Sequence, residues 1–247
     1  MVYFHFIILI FIFIKLGLTI LKKLIDSGVD VNCVDKQQRT PFIWAASAGA
    51  INALRILYKA GANPQQIDKD SLTALHGVAT RGHANCIRIL VELYDCPLEG
   101  EDINGCTALF YAISFQHPDI CQILLDLKAN PNHQDNRGRT PSHCAALKGN
   151  LACLKHLIKY GGNIWIRNKR GDYPIHEAIN GMSDSKDYFI RYIFNLYPDK
   201  VNIRNDEQRT PLHLAANLGN ISMCKVLIEC GAKINSFIQT TTVSFCI

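Results

Sequence analysis

Thr210-Pro211-Leu212-His213-Leu214-Ala215-Ala216 decides the reading, because this stretch returns along the chain. Towards the N-terminus the same position holds Tyr173-Pro174-Ile175-His176, Thr140-Pro141-Ser142-His143, Thr107-Ala108-Leu109-Phe110, Thr73-Ala74-Leu75-His76 and Thr40-Pro41-Phe42-Ile43. From Thr40 onwards the first residues are spaced by 33, 34, 33, 33 and 37. Nine residues past them stand Gly49, Gly82, Gln116, Gly149 and Gly219 in five of the six copies. A second signature closes most copies, at Gly28-Val29-Asp30-Val31-Asn32, Gly61-Ala62-Asn63, Ala129-Asn130-Pro131-Asn132, Gly161-Gly162-Asn163 and Gly231-Ala232-Lys233-Ile234-Asn235. A fixed period of this length is the mark of a stacked-repeat architecture.

Each part of the period has a mechanical reason. A Thr hydroxyl caps a helix start, and Pro beside it sits in the first turn, where a missing N–H costs nothing. The pairs Ala45-Ala46, Ala145-Ala146 and Ala215-Ala216 admit a second helix closely. Gly49 and its equivalents end that first helix in a left-handed conformation. Runs such as Ala53-Leu54-Arg55-Ile56-Leu57 carry apolar side chains at helical spacing and predict a second helix. Asp35, Asp68, Asp102 and Asp135, with Gly105, Gly138 and Gly171, supply turn chemistry for a hairpin-like loop between repeats.

In these motifs the chain resembles the ankyrin-repeat family. The resemblance implies an all-α repeat solenoid of stacked helix-turn-helix units with hairpin-like loops, curved and stabilised by neighbour stacking. It covers residues 16–238, about six repeats plus a partial one: 16–34, then 35–67, 68–101, 102–134, 135–167, 168–204 and 205–238. Segments such as Cys121-Gln122-Ile123-Leu124 through Asn132 are similar to the arrays of inversin-type scaffolds. Repeat consensus alone produces such a likeness, so no subfamily is assigned.

Some copies depart from the pattern. Ser142 replaces the usual Leu, Ile or Phe and is expected to weaken its repeat. Tyr173 replaces the capping Thr, and its copy carries four extra residues around Met182–Asp187. Leu18–Asp26 fits a second helix with no matching first helix before it, and the tail 239–247 adds no polar cap. Both ends are expected to be cut from a longer array. Residues 1–15 open on the uncharged MVYFHFIILIFIFI and, with the apolar run to residue 21, read either as a membrane anchor or as translation from outside the true gene start. A secretory leader fits worse, lacking a basic start and a small-residue cleavage site.

The chain of 247 residues has a net charge of +5, short of the Lys/Arg density of a nucleic-acid binder, so no nucleic-acid partner is expected. The ten Cys have no zinc-ligand spacing. Cys86, Cys121, Cys153 and Cys224 fall in apolar helical runs and read as core-filling thiols, which suits a cytoplasmic setting. Trp44, among apolar neighbours, reads as core. His76, His143, His176 and His213 recur one per repeat, so stacking keeps them apart; a structural role is expected. No phosphate loop, nucleophile elbow or metalloprotease string appears, and neither enzymatic activity nor a cofactor is expected.

What the resemblance implies is a surface. In the family, partners dock on the loop tips and the exposed face of the first helices, which points to Arg81, Phe115, Arg137, Arg139, Lys148, Trp165, Lys169 and Arg170. The expected function is a non-catalytic scaffold or adaptor that binds a protein or peptide. Two readings of the basic stretch stay open: a grip for an acidic or phosphorylated peptide, or a solvated basic face with Trp165 tucked against the next repeat. The alternatives for the whole chain are a membrane-anchored or channel-associated adaptor using residues 1–21, with its repeats facing the cytoplasm, and the targeting region of a larger enzyme.

Overall fold

A computed structural model describes residues 18–181 and 187–234. Their regular elements are all helical, as an all-α repeat fold requires. Two compact units divide the chain, one ending at Asn136 and the other beginning at Arg137. The first contains α1 (Leu18–Asp26), α2 (Pro41–Ser47), α3 (Ile51–Lys59), α4 (Ala74–Arg81), α5 (Ala84–Arg88), α6 (Ala108–Ser114) and α7 (Pro118–Asp126). The second contains α8 (Pro141–Lys148), α9 (Leu151–Lys159), α10 (Pro174–Asn180), α11 (Asp187–Leu196), α12 (Pro211–Asn217) and α13 (Ile221–Glu229). Residues 1–17, where the anchor-or-artefact segment falls, lie outside the described residues, as do 182–186 of the insertion and 235–247 at the end. Among the described residues no helix is long and apolar enough to cross a membrane.

First helices stack on first helices and second on second. In the first unit α2 packs on α4 and α4 on α6, while α1 meets α3 and α5 meets α7. In the second unit α8 packs on α10, α10 on α12, and α11 on α13. The core is what these faces bury: Phe42, Leu75, Leu109 and Ile175 at one repeat position, Ala45-Ala46 and Ala145-Ala146 at the close approach, and Cys86, Cys121 and Cys153 between second helices. Cys224, expected beside those thiols, is half-buried, and the nine cysteines of the described residues are free. Ser142 is wholly buried where its counterparts are large and apolar, and its hydroxyl has no hydrogen-bond partner among the described residues. Forgoing a buried Leu side chain there gives up about 2 kcal/mol.

The repeated Thr-x-x-His works as a two-way fastener. Thr140 N–H donates to His143 Nδ1 at 3.0 Å, and the hydroxyl lies 2.9 Å from the same nitrogen. A backbone N–H only donates, so Nδ1 is the acceptor and Nε2 carries the proton. That Nε2–H donates to the Asp172 carbonyl of the next repeat at 3.0 Å. His76 repeats the arrangement, with Thr73 behind it and the Cys106 carbonyl 2.9 Å ahead. A second histidine pair links backwards: His83 donates to the Ser47 carbonyl and His117 to the Thr80 carbonyl, at 3.1 and 3.2 Å. Those rings lie against Gly49 and Gly82, whose φ values are +69° and +83°. A Cβ on either would come within 2.7 or 2.9 Å of a ring atom, so both conformation and space demand glycine.

One copy holds an extra residue, and the fold absorbs it inside a helix. The spacing of 34 from Thr73 to Thr107 includes a π-turn, Ile89–Leu93, continuing α5. Where Ala62 and Ala129 close their second helices by bonding five residues back, to Leu57 and Leu124, Cys96 bonds six back, to Leu90. A single π-turn is the helix form of a one-residue insertion.

Candidate docking surface

The loops are built on one acidic or amide side chain per repeat. Asp35 Oδ1 accepts from the N–H groups of Gln37 and Arg39, Asp68 Oδ1 from Asp70 and Leu72, and Asp102 Oδ1 from Asn104 and Cys106, all at 2.8–2.9 Å. In the second unit Asn168 Oδ1 does the same for Arg170 and Asp172. This closes a tight turn from within, as short polar side chains do. Successive tips are then tied backbone to backbone. In the first unit Lys69 N–H donates to the Gln37 carbonyl, Ile103 to Asp70 and Asn136 to Asn104, at 2.9–3.1 Å. In the second unit Lys169 N–H donates to the Arg137 carbonyl at 2.9 Å. Tip side chains therefore stand in register at each tied pair.

The expected contact residues fall on this surface in two separate groups. In the first unit Arg81 ends α4 and is exposed, and Phe115 caps α6 at the same repeat position. Phe115 is half exposed and stacks on Tyr111, ring centroids 6.3 Å apart. In the second unit Lys148 ends α8, and Arg137, Lys169 and Arg170 are exposed at the tips, with Arg139 partly covered. Trp165 is partly buried, edge-on to Tyr197 at 5.3 Å and to Tyr173 at 6.4 Å, so it packs against the following copy.

Charge on the second unit is more compensated than a reading of tip positions suggests. Arg170 donates to Glu177 Oε1 at 3.0 Å and lies 3.7 Å from Asp172. Arg167 donates to Asp206 Oδ1 at 2.7 Å and to the Tyr173 hydroxyl at 2.8 Å, and its guanidinium covers the Tyr173 ring. Glu177 sits in a first helix, and Asp206 in a tip 39 residues on from Arg167.

Trp44 is a correction. It is not core: it is partly exposed on the outer face of α2, its indole N–H donating to Asp35 Oδ2 at 3.2 Å. Arg39 lies over the ring at 4.2 Å and donates through Nε to the same oxygen at 2.8 Å. Burial alone would raise the Asp35 carboxyl, but hydrogen bonds from Arg39, the Trp44 indole and Gln37 outweigh it and hold it below its usual value. Asp102 is held down likewise: burial opposes, and the Cys106 N–H, the Tyr111 hydroxyl and Asn104 prevail. Trp44 and Tyr111 share one position, four past the Thr. Across the six copies that column reads Trp44, Gly77, Tyr111, Cys144, Glu177 and Leu214, and Leu214 alone is the aliphatic residue that a core position favours. That signal lay in the sequence.

Among the described residues no three His, Cys, Asp or Glu side chains converge to hold a metal. Both ring nitrogens of His76 and of His143 are committed to the fastener. The Cys96 thiol is pushed up to about 12 by burial, with Asp95 adding to it, so it is a poor nucleophile.

Known proteins agree with this architecture. The family model "Ankyrin repeats (3 copies)" matches residues 9–97, 60–135, 93–168, 124–199 and 142–238. Dog and human inversin are each 29% identical over 208 residues, 83% of this chain and 16% of theirs. The human transient receptor potential cation channel subfamily A member 1 is 28% identical over 142 residues, 54% of this chain and 12% of its own. The chain thus spans less than a fifth of these relatives. Ankyrin repeats serve generally as protein–protein interaction modules. With the period, the fastener and the family model in agreement, the chain belongs to the ankyrin-repeat family.

Proposed function

We propose that this chain is a non-catalytic docking module, a scaffold or adaptor segment acting in the cytoplasm. It takes an acidic or phosphorylated segment of a partner protein on its loop tips and first-helix ends. The observation that carries this is the backbone tie from tip to tip, which holds Lys69 and Lys169 at fixed stations in their units while Arg81, Phe115 and Lys148 are presented at first-helix ends. None of the four cations makes an ion pair among the described residues, which leaves them accessible to acidic groups of a partner. Arg and aromatic side chains are the types that dominate interface energetics.

The test uses the full chain and fluorescein-labelled peptides, one Glu-rich and one bearing phosphoserines, read by anisotropy. Lys148→Glu with Lys169→Glu is expected to weaken capture about a hundredfold, the effect of losing two charge-assisted contacts of about 1.4 kcal/mol each. Raising salt should weaken the native chain and hardly touch the variant. Equal binding by both chains, with unchanged melting curves, overturns the reading.

A further inference from the structure

The first unit has one repeat whose outer face is missing a part. In the copies on either side, a ring from the first helix completes the loop: Trp44 N–H reaches Asp35 Oδ2, and the Tyr111 hydroxyl reaches Asp102 Oδ2 at 2.8 Å. The copy between them has Gly77 at that position. Its loop aspartate, Asp68, uses Oδ1 for the turn as its neighbours do, and Oδ2 has no hydrogen-bond partner among the described residues. A carboxylate oxygen that two sister repeats satisfy with an aromatic donor is here left to another source.

The place of the absent ring is a groove. A cavity of about 190 Å³ opens beside Gly77, lined by Trp44, Ser47, Asp68, Thr80 and Arg81 among others. An apolar cavity of about 150 Å³ holds a benzene, so this one has room for a phenol ring. Trp44 supplies an aromatic wall of the kind that rings pack on edge or offset. Arg39 is already bound to Asp35 and stacked on Trp44, which leaves Asp68 Oδ2, open to the groove, as the carboxylate oxygen able to take a donor there. Gly77 also lets α2 and α4 close up: a Cβ there would collide with the Ser47 side chain, so the chain itself cannot restore the ring without spreading the two helices.

We propose that this groove is a subsite for a tyrosine side chain of the docking partner, its ring against Trp44 over Gly77 and its hydroxyl donating to Asp68 Oδ2. The subsite rests on the docking reading above and narrows it: within the bound segment, one unmodified tyrosine is recognised in the first unit. A phosphate on that tyrosine would face the Asp68 carboxylate and outgrow a groove sized for a phenol, so modification is expected to weaken its hold although Arg81 lines the same groove.

The experiment uses the isotope-labelled full chain and acetyl-Gly-Ser-Xaa-Ser-Gly-amide peptides in which Xaa is Tyr, Phe, phosphotyrosine or Lys. Amide and indole shifts are followed at Gly77, Asp68 and Trp44. The Tyr peptide is expected to shift all three, with Phe about tenfold weaker for want of one hydrogen bond to a charged acceptor, and phosphotyrosine and Lys weaker still. Asp68→Asn should remove the preference of Tyr over Phe, and its turn should survive because Asn168 builds the same turn. Ser47→Met, which fills the groove and spares Asp68, should abolish Tyr binding. Tightest binding of Lys makes the groove a cation seat and overturns the proposal. So does a Tyr preference that survives Asp68→Asn, or the absence of any shift at the three reporters. Loss of the subsite with capture through Lys148 and Lys169 intact leaves the docking module standing. The reverse result overturns the acidic docking surface and leaves the groove as a tyrosine site.

Discussion

Thr140–His143 and Tyr173–His176 occupy equivalent positions in consecutive repeats of the second unit, and they differ by how the histidine is held from behind. In the first, Nδ1 accepts from the Thr140 backbone N–H and lies beside its hydroxyl. In the second, Tyr173 has no hydroxyl at that place, and His176 Nδ1 has no partner among the described residues although the residue is wholly buried. The forward bond persists all the same, His176 Nε2 meeting the Arg209 carbonyl at 3.1 Å. Tyr173 stacks on the His176 ring at 5.8 Å and takes the Arg167 guanidinium on its own face. The contrast separates two jobs that the regular copy performs together. Joining repeats is the job retained; capping the local helix is the one that was traded for an aromatic and arginine cluster.

That contrast breaks most sharply by removing the rings. His143→Ala leaves the Thr140 N–H and the Asp172 carbonyl without partners and empties a buried site, an expected loss of about 3 kcal/mol. His176→Ala forfeits a single hydrogen bond and is expected to cost about 2 kcal/mol. Urea denaturation at constant slope measures both. Equal costs would mean that the Thr140 side of the fastener contributes nothing.

A smaller change sharpens the same point. Thr140→Ala removes the cap hydroxyl and keeps the ring, for an expected loss of about 1 kcal/mol. Tyr173→Ala has no cap to lose, so any destabilisation there reports the aromatic cluster instead. Thermal melts of the two variants at matched concentration decide between these sources.

The gentlest probe is pH. Burial pushes the imidazoles of His76 and His176 below their ordinary value of 6.5. Between the lowered folded values and 6.5 the unfolded chain binds more protons, so stability is complete above about pH 6.5 and declines as the pH falls. Asp35 and Asp102, lowered from 3.8, contribute stability present above that pH and lost below it. The melting temperature is expected to drop from pH 7 to pH 5 and faster again below pH 4. A flat curve from 7 to 5 would show that neither the His76 nor the His176 imidazole is held neutral by burial.

Much of this was legible in the chain because its causes are local and repeated. A Thr cap, a Pro first turn and a left-handed glycine each impose a backbone requirement at one position, and each recurs in at least four of the six copies. The helix at Leu18–Asp26 was readable too, since α1 spans the segment that the apolar spacing marks out. What escaped depends on meetings between a loop and a helix face or another loop, within a copy or between copies. Trp44 was misread because its sequence neighbours are apolar, whereas its fate is set by Asp35, nine residues back across a turn. The partners of Arg167 and Arg170 come from a tip in the next repeat and from a helix face. The gap at Gly77 is visible only against Trp44 and Tyr111.

The π-turn at Ile89–Leu93 has a consequence for how such a chain can change. The surplus residue is swallowed on the second-helix side, and the ties from Lys69 to Gln37, Ile103 to Asp70 and Asn136 to Asn104 keep step past it. Length can therefore drift on the rear of the stack during evolution while the front keeps its metre. A partner reading that front would not notice the added letter.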